Sequence, residues 1–287
     1  MLCVPAFGFD ASVPQAQRNA ILFSWDGVQR EHLMQCLSRN ELPNLAALIK
    51  EGNLVNIDVA GHQTATKPGH VQMLTGYDPD VTGTFTNTRF KAIPEGLSIF
   101  ERLEKTFGDD NITTIMLTGA LHHIGACPGE PFQHVSKNVD VWDGESRRES
   151  AVNGPIMLDA LGKYGKGRFF MFCHFLDPDH AGHAHGENSK EYNDGIIACD
   201  RWLGKAVNKL KELGVYDKAM VFVTSDHGFD EGTKGHSNAS RVTLATNLKA
   251  LTKNGDQRDI TPTILTEMGV DISKSEPKYK GVVLTAQ

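Results

Sequence analysis

Three apolar runs in this chain are each followed closely by an aspartate and loop residues: Asp26 after Ile21 to Trp25, Asp179 soon after Phe169 to Phe175, and Asp226 after Met220 to Ser225. Any one of them reads equally well as a helix cap or a turn residue. Three in the same setting, two with histidine close by, read as ligands. In Asp179-His180-Ala181-Gly182-His183 a carboxylate and an imidazole stand four apart with a glycine between, so a tight turn can aim both at one cation. In Asp226-His227-Gly228 they are adjacent, and His236 follows in Lys234-Gly235-His236. Oxygen and nitrogen donors without a thiolate suit a catalytic zinc, or manganese, better than a structural zinc.

A nucleophile would complete such a site. In Thr64-Ala65-Thr66-Lys67-Pro68-Gly69-His70 the proline suits the first turn of a helix, which places Thr66 at its N-terminal end among backbone N–H groups that attract anions. An N-cap threonine explains the same segment equally well. A threonine hydroxyl is a poor nucleophile near neutral pH and needs a metal or base beside it. Of the twelve histidines, His32, His62, His122, His123 and His134 are assigned to ordinary core or surface positions.

The elements that must position these residues are also legible. Continuous apolar runs at Ala20 to Trp25, Leu54 to Val59, Ile112 to Leu117, Phe169 to Phe175 and Ala219 to Thr224 are expected to be strands covered on both faces. Helices are expected at Leu42 to Glu51, Ser98 to Thr106 and Ile260 to Met268. The clearest helix carries Tyr192, Ile196, Cys199, Leu203, Val207 and Leu210, with Asn188 and Glu191 as a capping box. Strands alternating with helices predict an α/β fold with a largely parallel central sheet sandwiched by helices, ligands gathering at the carboxyl ends of its strands. No repeat or linker divides the chain, so residues 1–287 are expected to form a single domain, with the irregular stretch 118–153 as a small cap over the site.

Composition narrows the partners. With 29 basic and 35 acidic residues the net charge is −6, which does not favour a nucleic acid duplex. No apolar run approaches the ~20 residues of a membrane span. Five cysteines without zinc-finger spacing (Cys3, Cys36, Cys127, Cys173, Cys199) read mostly as buried thiols and lean toward a reducing compartment. Met1 to Ala11 also fits the remnant of a clipped secretory segment, so localisation stays open between cytoplasm and export. Oligomeric state is not legible.

Taken in order, Asp26, Thr66 with Pro68 and His70, Asp179 with His183, Asp226-His227 and His236 resemble the alkaline phosphatase superfamily, most closely its type I phosphodiesterase and nucleotide pyrophosphatase branch. The likeness runs from Ile21 through Thr261-Pro262-Thr263-Ile264-Leu265 to Gly269, and Phe175 to His183 is its most specific phrase. The resemblance implies two divalent ions, usually zinc, with Asp26, Thr66, Asp226 and His227 around one and Asp179, His183 and His236 around the other. It makes Thr66 the nucleophile of an in-line displacement that passes through a phosphothreonine. Asn87 falls where this branch keeps a donor to a phosphoryl oxygen, although a turn residue explains it comparably. Only Asp179, not Asp177, stands four before His183, so Asp177 is left to supporting hydrogen bonds. His236 is favoured over His185 as the last ligand.

The sequence also departs from other branches. Thr66-Lys67-Pro68-Gly69-His70 lacks the Cys/Ser-x-Pro-x-Arg signature of sulfatases, and the 113 positions from Thr66 to Asp179 (179 − 66) leave little room for the second domain of phosphoglycerate mutases. The leading expectation is a metal-dependent hydrolase of phosphate esters, diesters ahead of monoesters, acting on a small phosphoryl substrate. Phosphonate or sulfate ester hydrolysis is the near alternative. A metal-stabilised protein that binds a phosphoryl ligand without turnover is the alternative from another class.

Overall fold

The structure is a computed structural model describing residues 8–286. Cys3 and most of Met1 to Ala11, the segment read as a possible leader, lie outside the described residues. Eight strands occur in chain order: β1 (Asn19–Trp25), β2 (Asn53–Asp58), β3 (Thr113–Thr118), β4 (Val141–Gly144), β5 (Phe169–Phe175), β6 (Ala219–Thr224), β7 (Arg241–Thr246) and β8 (Gly255–Asp256). They form one sheet in the order β4-β3-β5-β1-β6-β7-β2-β8. The run β4-β3-β5-β1-β6 is parallel throughout. Only β7 runs against its neighbours β6 and β2.

Alternation along the central strands builds two cores. Ala20 and Leu22 of β1, Phe170 and Phe172 of β5, and Met220 and Phe222 of β6 point to one side. Ile21, Phe23 and Trp25 point to the other, with Met171, Phe175, Val221 and Val223. Helices cover both faces, and burying each large side chain contributes about 1.5–3 kcal/mol. The long helix Lys190–Glu212 covers the second side through Tyr192, Ile196, Cys199, Leu203 and Leu210. Cys36, Cys173 and Cys199 are buried thiols, and Cys127 is partly so.

Several local expectations change. The long helix is capped by Ser189, whose hydroxyl accepts from the Tyr192 amide, instead of by Asn188 with Glu191; Ser189 is the residue holding the extended backbone just before the first turn. The expected tight turn around Asp179 is a helix, Asp177–His185, because Pro178 is tolerated in a first turn. β2 alternates instead of being covered on both faces, with Val55 and Ile57 buried and Asn56 and Asp58 exposed. It lies beside the two-residue β8 at the sheet margin, where one face meets solvent. Within the irregular stretch 118–153, β4 joins the sheet at its edge. Among the described residues no helix is long and apolar enough to cross a membrane.

Candidate active site

The carboxyl ends of β1, β5 and β6 lie side by side in register, with Trp25 opposite Phe175 and Ser24 opposite Thr224. The residues just beyond them therefore converge. Asp26 follows β1 directly and its amide donates to the Phe175 carbonyl at 3.0 Å. The chain then turns through Gly27 at φ +73°, where a Cβ would stand 2.8 Å from the Phe229 ring and 3.1 Å from the Asp179 Cα; only glycine fits. Asp226 and His227 follow β6, held by Gln257, whose Nε2 donates to the Ser225 and Asp226 carbonyls at 3.1 and 2.6 Å.

Asp26, Asp226 and His227 are completely buried. Yet Asp26 Oδ1, Asp179 Oδ1, Asp226 Oδ2 and His227 Nε2 are buried with no hydrogen-bond partner. Such orphaned polar atoms are costly unless something binds them. His227 Nδ1 donates to the Gly228 carbonyl at 2.8 Å, so in the neutral ring Nε2 is bare. That nitrogen lies 3.3 Å from Asp226 Oδ2, 3.5 Å from Asp26 Oδ1 and 4.0 Å from Asp179 Oδ1. Burial, and then the charges of Asp226 and Asp179, push the Asp26 carboxyl well above its usual range.

A second group adjoins the first. Asp179 and His183, one turn apart on their helix, bring Oδ1 and Nε2 to 3.4 Å. His183 Nδ1 donates to the Lys234 carbonyl at 2.9 Å and His236 Nδ1 to the Thr64 carbonyl at 2.6 Å. Both Nε2 atoms are therefore bare in the neutral rings, and they face each other at 3.2 Å. Donors bound at ~2.0 Å to one tetrahedral ion stand about 3.3 Å apart, so the spacing fits shared cations. Two candidate metal groups result, Asp26-Asp179-His227 and Asp179-His183-His236, with Asp179 common to both and Asp226 beside the first. His185, at the end of the same helix, joins neither.

Thr66 is the first residue of the helix Thr66–Thr75 and is 4% exposed. It lines a cleft of about 580 Å³ together with Asn87, Asp179, His183 and His236. Gly69 lets this helix lie against the Asp226 backbone, since a Cβ there would sit 2.5 Å from the Asp226 carbonyl oxygen. Asn87 Oδ1 accepts from the Lys67 amide at 2.9 Å, which leaves its Nδ2 as a donor. Asp177 caps the helix Ser150–Tyr164 instead, accepting from the Ser150 amide and hydroxyl at 2.7 and 2.5 Å.

The roles of two buried histidines were not legible in the sequence. His174, on β5, receives the Gly119 amide at Nδ1 (3.2 Å), so its Nε2–H donates to Asp26 Oδ2 at 2.8 Å. Burial, and then nearby His70, push its basicity well below normal and keep it neutral. His70 Nδ1 donates to the Thr66 carbonyl at 2.8 Å while Nε2 meets the Ser24 hydroxyl at 2.8 Å. Two histidines thus orient Asp26 and the helix start. His122 and His123, read as ordinary positions, line the cleft. His32 instead makes a buried pair with Glu187 at 2.8 Å.

A family model for type I phosphodiesterase / nucleotide pyrophosphatase matches residues 20–254. Among curated proteins, a bis(5'-adenosyl)-triphosphatase ENPP4 of Pongo abelii is 26% identical over 220 residues, covering 74% of this chain and 47% of that protein. A GPI ethanolamine phosphate transferase 1 of Aspergillus oryzae is 26% identical over 267 residues, covering 82% of this chain and 25% of that one. The chain thus spans about half or less of the curated relatives it matches. Among solved structures, a putative sulfatase yidJ of Bacteroides fragilis aligns with TM-score 0.69 at 16% identity, covering 94% of this chain and 77% of the other. The lipoteichoic acid synthase LtaP of Listeria monocytogenes aligns at 0.62 and 14% identity, covering 95% and 75%. The fold is that of the alkaline phosphatase and sulfatase-like α/β proteins.

Proposed function

The chain belongs to the type I phosphodiesterase / nucleotide pyrophosphatase family, and on that premise we propose that it hydrolyses phosphodiesters with two divalent ions, zinc or manganese, and Thr66 as nucleophile. The observation that carries this reading is the convergence of four orphaned buried atoms, on Asp26, Asp179, Asp226 and His227, beside a cleft lined by the Thr66 side chain. Asp26, Asp226 and His227, with Thr66, would hold one ion, and His183 and His236 the other, Asp179 facing both. When bound, the ions would favour the ionised hydroxyl and offset charge on the phosphoryl group and leaving oxygen.

The protein residues do the rest. Thr66 Oγ1 loses its proton to solvent and forms a bond to phosphorus while the bond to one alcohol oxygen breaks; that oxygen leaves and takes a proton from water. Water then attacks the phosphothreonine from the opposite side, restoring Thr66 and releasing the monoester. Asn87 Nδ2 donates to a phosphoryl oxygen as charge builds. Lys67 is tied to Glu130 at 2.5 Å, which leaves it little charge for a monoester dianion and favours diesters. A binder without turnover has no use for a nucleophile at this place, and the segment 66–70 lacks the sulfatase signature.

The test is elemental analysis combined with hydrolysis of bis-p-nitrophenyl phosphate, p-nitrophenyl phosphate, a phosphonate and a sulfate ester in zinc or manganese. About two metals per chain and diester turnover are expected. Thr66→Ala should keep most metal and lose most turnover, and Thr66→Ser should retain part of it. Full activity in the alanine variant would mean direct attack by water. Metal binding without any turnover would favour the binder.

A further inference from the structure

Beyond the metal-facing donors, the outer wall of the cleft is formed by His122, His123, Ser146, Arg147 and His180. Asp179 is the sole carboxylate among the described lining residues, and none of them is Phe, Tyr or Trp. Arg147 is the one Lys or Arg among the described lining residues, in a chain of net charge −6. The cleft's rings are imidazoles, without the larger Phe, Tyr or Trp faces on which a nucleobase stacks best.

Arg147 is the distinctive member. It adopts φ +57°, a left-handed conformation that residues with side chains rarely take and that persists where the surroundings impose it. The surroundings here are explicit. The Glu145 and Arg148 amides donate to the Thr118 and Gly119 carbonyls at 3.3 and 3.0 Å, and the Leu121 amide donates back to Glu145 at 3.2 Å. Arg148 turns inward, buried, onto the Thr118 carbonyl at 3.1 Å and the Asp143 carboxylate at 2.5 Å. The loop is thereby stitched to the end of β3, and Arg147 is turned toward the cleft. Its neighbours' carboxylates are committed elsewhere, Asp143 to Arg148 and Glu149 to His180 at 3.1 Å. Glu145 is exposed without an ion pair and does not line the cleft. Among the described residues Arg147 has no hydrogen-bond or ion-pair partner. Lys67, by contrast, is neutralised by Glu130 and lies over the Phe90 ring at 3.5 Å.

We propose that Arg147 forms a subsite for a second anionic group, a phosphate or carboxylate carried on one alcohol arm of the diester. Diesters with an anionic arm are then preferred over nucleoside, neutral or cationic ones. This inference rests on the phosphodiesterase reading. The guanidinium suits planar oxyanions, and a charge-assisted hydrogen bond at the mouth of a partly dry cleft is consistent with a gain of about 10- to 100-fold.

The test compares p-nitrophenyl diesters that differ only in the second arm: ethyl, 2-carboxyethyl, 2-phosphoethyl, 2-aminoethyl and thymidine 5'. The readout is the ratio of kcat/KM to that of the ethyl diester within one protein, which cancels losses common to all substrates. The wild type should favour the carboxyethyl or phosphoethyl arm by about 10- to 100-fold, and the pair tells a carboxylate from a phosphate ligand. Arg147→Met should remove the preference, Arg147→Lys should keep part of it, and added salt should shrink it. Preference for the thymidine or aminoethyl arm, no preference at all, or a preference that survives Arg147→Met would overturn the proposal. If no diester is turned over, the hydrolase reading fails. Titration calorimetry of the same compounds on metal-loaded Thr66→Ala protein, with and without Arg147→Met, then still decides the subsite. Equal affinities for ethyl and anionic arms would refute it.

Discussion

Two bare imidazole nitrogens 3.2 Å apart, on His183 and His236, repel unless a cation lies between them. His236→Ala should therefore lower occupancy of one metal and depress turnover, with partial rescue by excess zinc, while His185→Ala should leave metal content nearly unchanged. Metal analysis of the two variants reads this directly, and a loss confined to His185→Ala would reverse the assignment. Asn87 has its oxygen engaged by the Lys67 amide and its nitrogen left to donate. Asn87→Ala should lower kcat/KM by roughly 10- to 1000-fold, the range for a donor aimed at developing charge. Wild-type values on every active substrate would reduce Asn87 to a turn residue. The types and order of the converging carboxylates and imidazoles were legible because their chemistry resides in the side chains themselves. His174 was not, because its value comes from Gly119 and Asp26, brought to it by the sheet. Arg147 escaped notice for the same reason, since its conformation is imposed by carbonyls at the end of β3.

At the scale of elements, five of the eight strands were readable from their apolar runs, and the three that escaped lie where such runs are absent. β4 is four residues long at the sheet edge, β8 has only two residues, and β7, Arg241–Thr246, carries three polar residues in six. Gly182 signalled a turn where a helix forms. Gly182 serves packing instead, since a Cβ there would stand 2.6 Å from the Phe229 ring. The helix Ile99–Phe107 was both legible and capped as its sequence suggests, by Ser98 with Glu101. It carries Glu104 onto β3, where the Thr114 hydroxyl donates to it at 2.6 Å. Burial pushes this carboxyl from 4.5 up to about 7, with Asp140 adding to the effect and the Thr114 bond opposing it. The folded protein thus holds this proton more tightly than the unfolded chain, so from about pH 4.5 to about 7 its contribution to stability falls as pH rises. Glu104→Gln should raise the urea midpoint at pH 8 and flatten its decline from pH 5 to pH 8. Parallel declines in the two proteins would show that Glu104 does not set the slope.

For the whole molecule, the site is the place where three carboxylates meet at the end of a buried sheet with no fixed positive charge among them. Bound metal should therefore stabilise the fold as well as serve catalysis. An ion held at a thousandfold excess over its Kd adds about 4 kcal/mol. Chelation should accordingly lower Tm by several degrees, reversibly on return of zinc or manganese. A melting curve indifferent to chelator would argue against both metal groups.

The central strand also sets the timing of assembly. Ala20 pairs with Phe170 on one side and Met220 on the other, 150 and 200 positions later (170 − 20 and 220 − 20). Such distant closures make folding slow, because the entropy of loop closure is spent before the contacts form. During synthesis at about 5–20 residues per second, β1 emerges roughly 10–40 s before β6 can flank it. Until β5 follows, 150 positions after β1, Ile21, Leu22, Phe23 and Trp25 remain unpaired, a segment suited to capture by a chaperone. His236 emerges later still, so the second candidate metal group can close only after it.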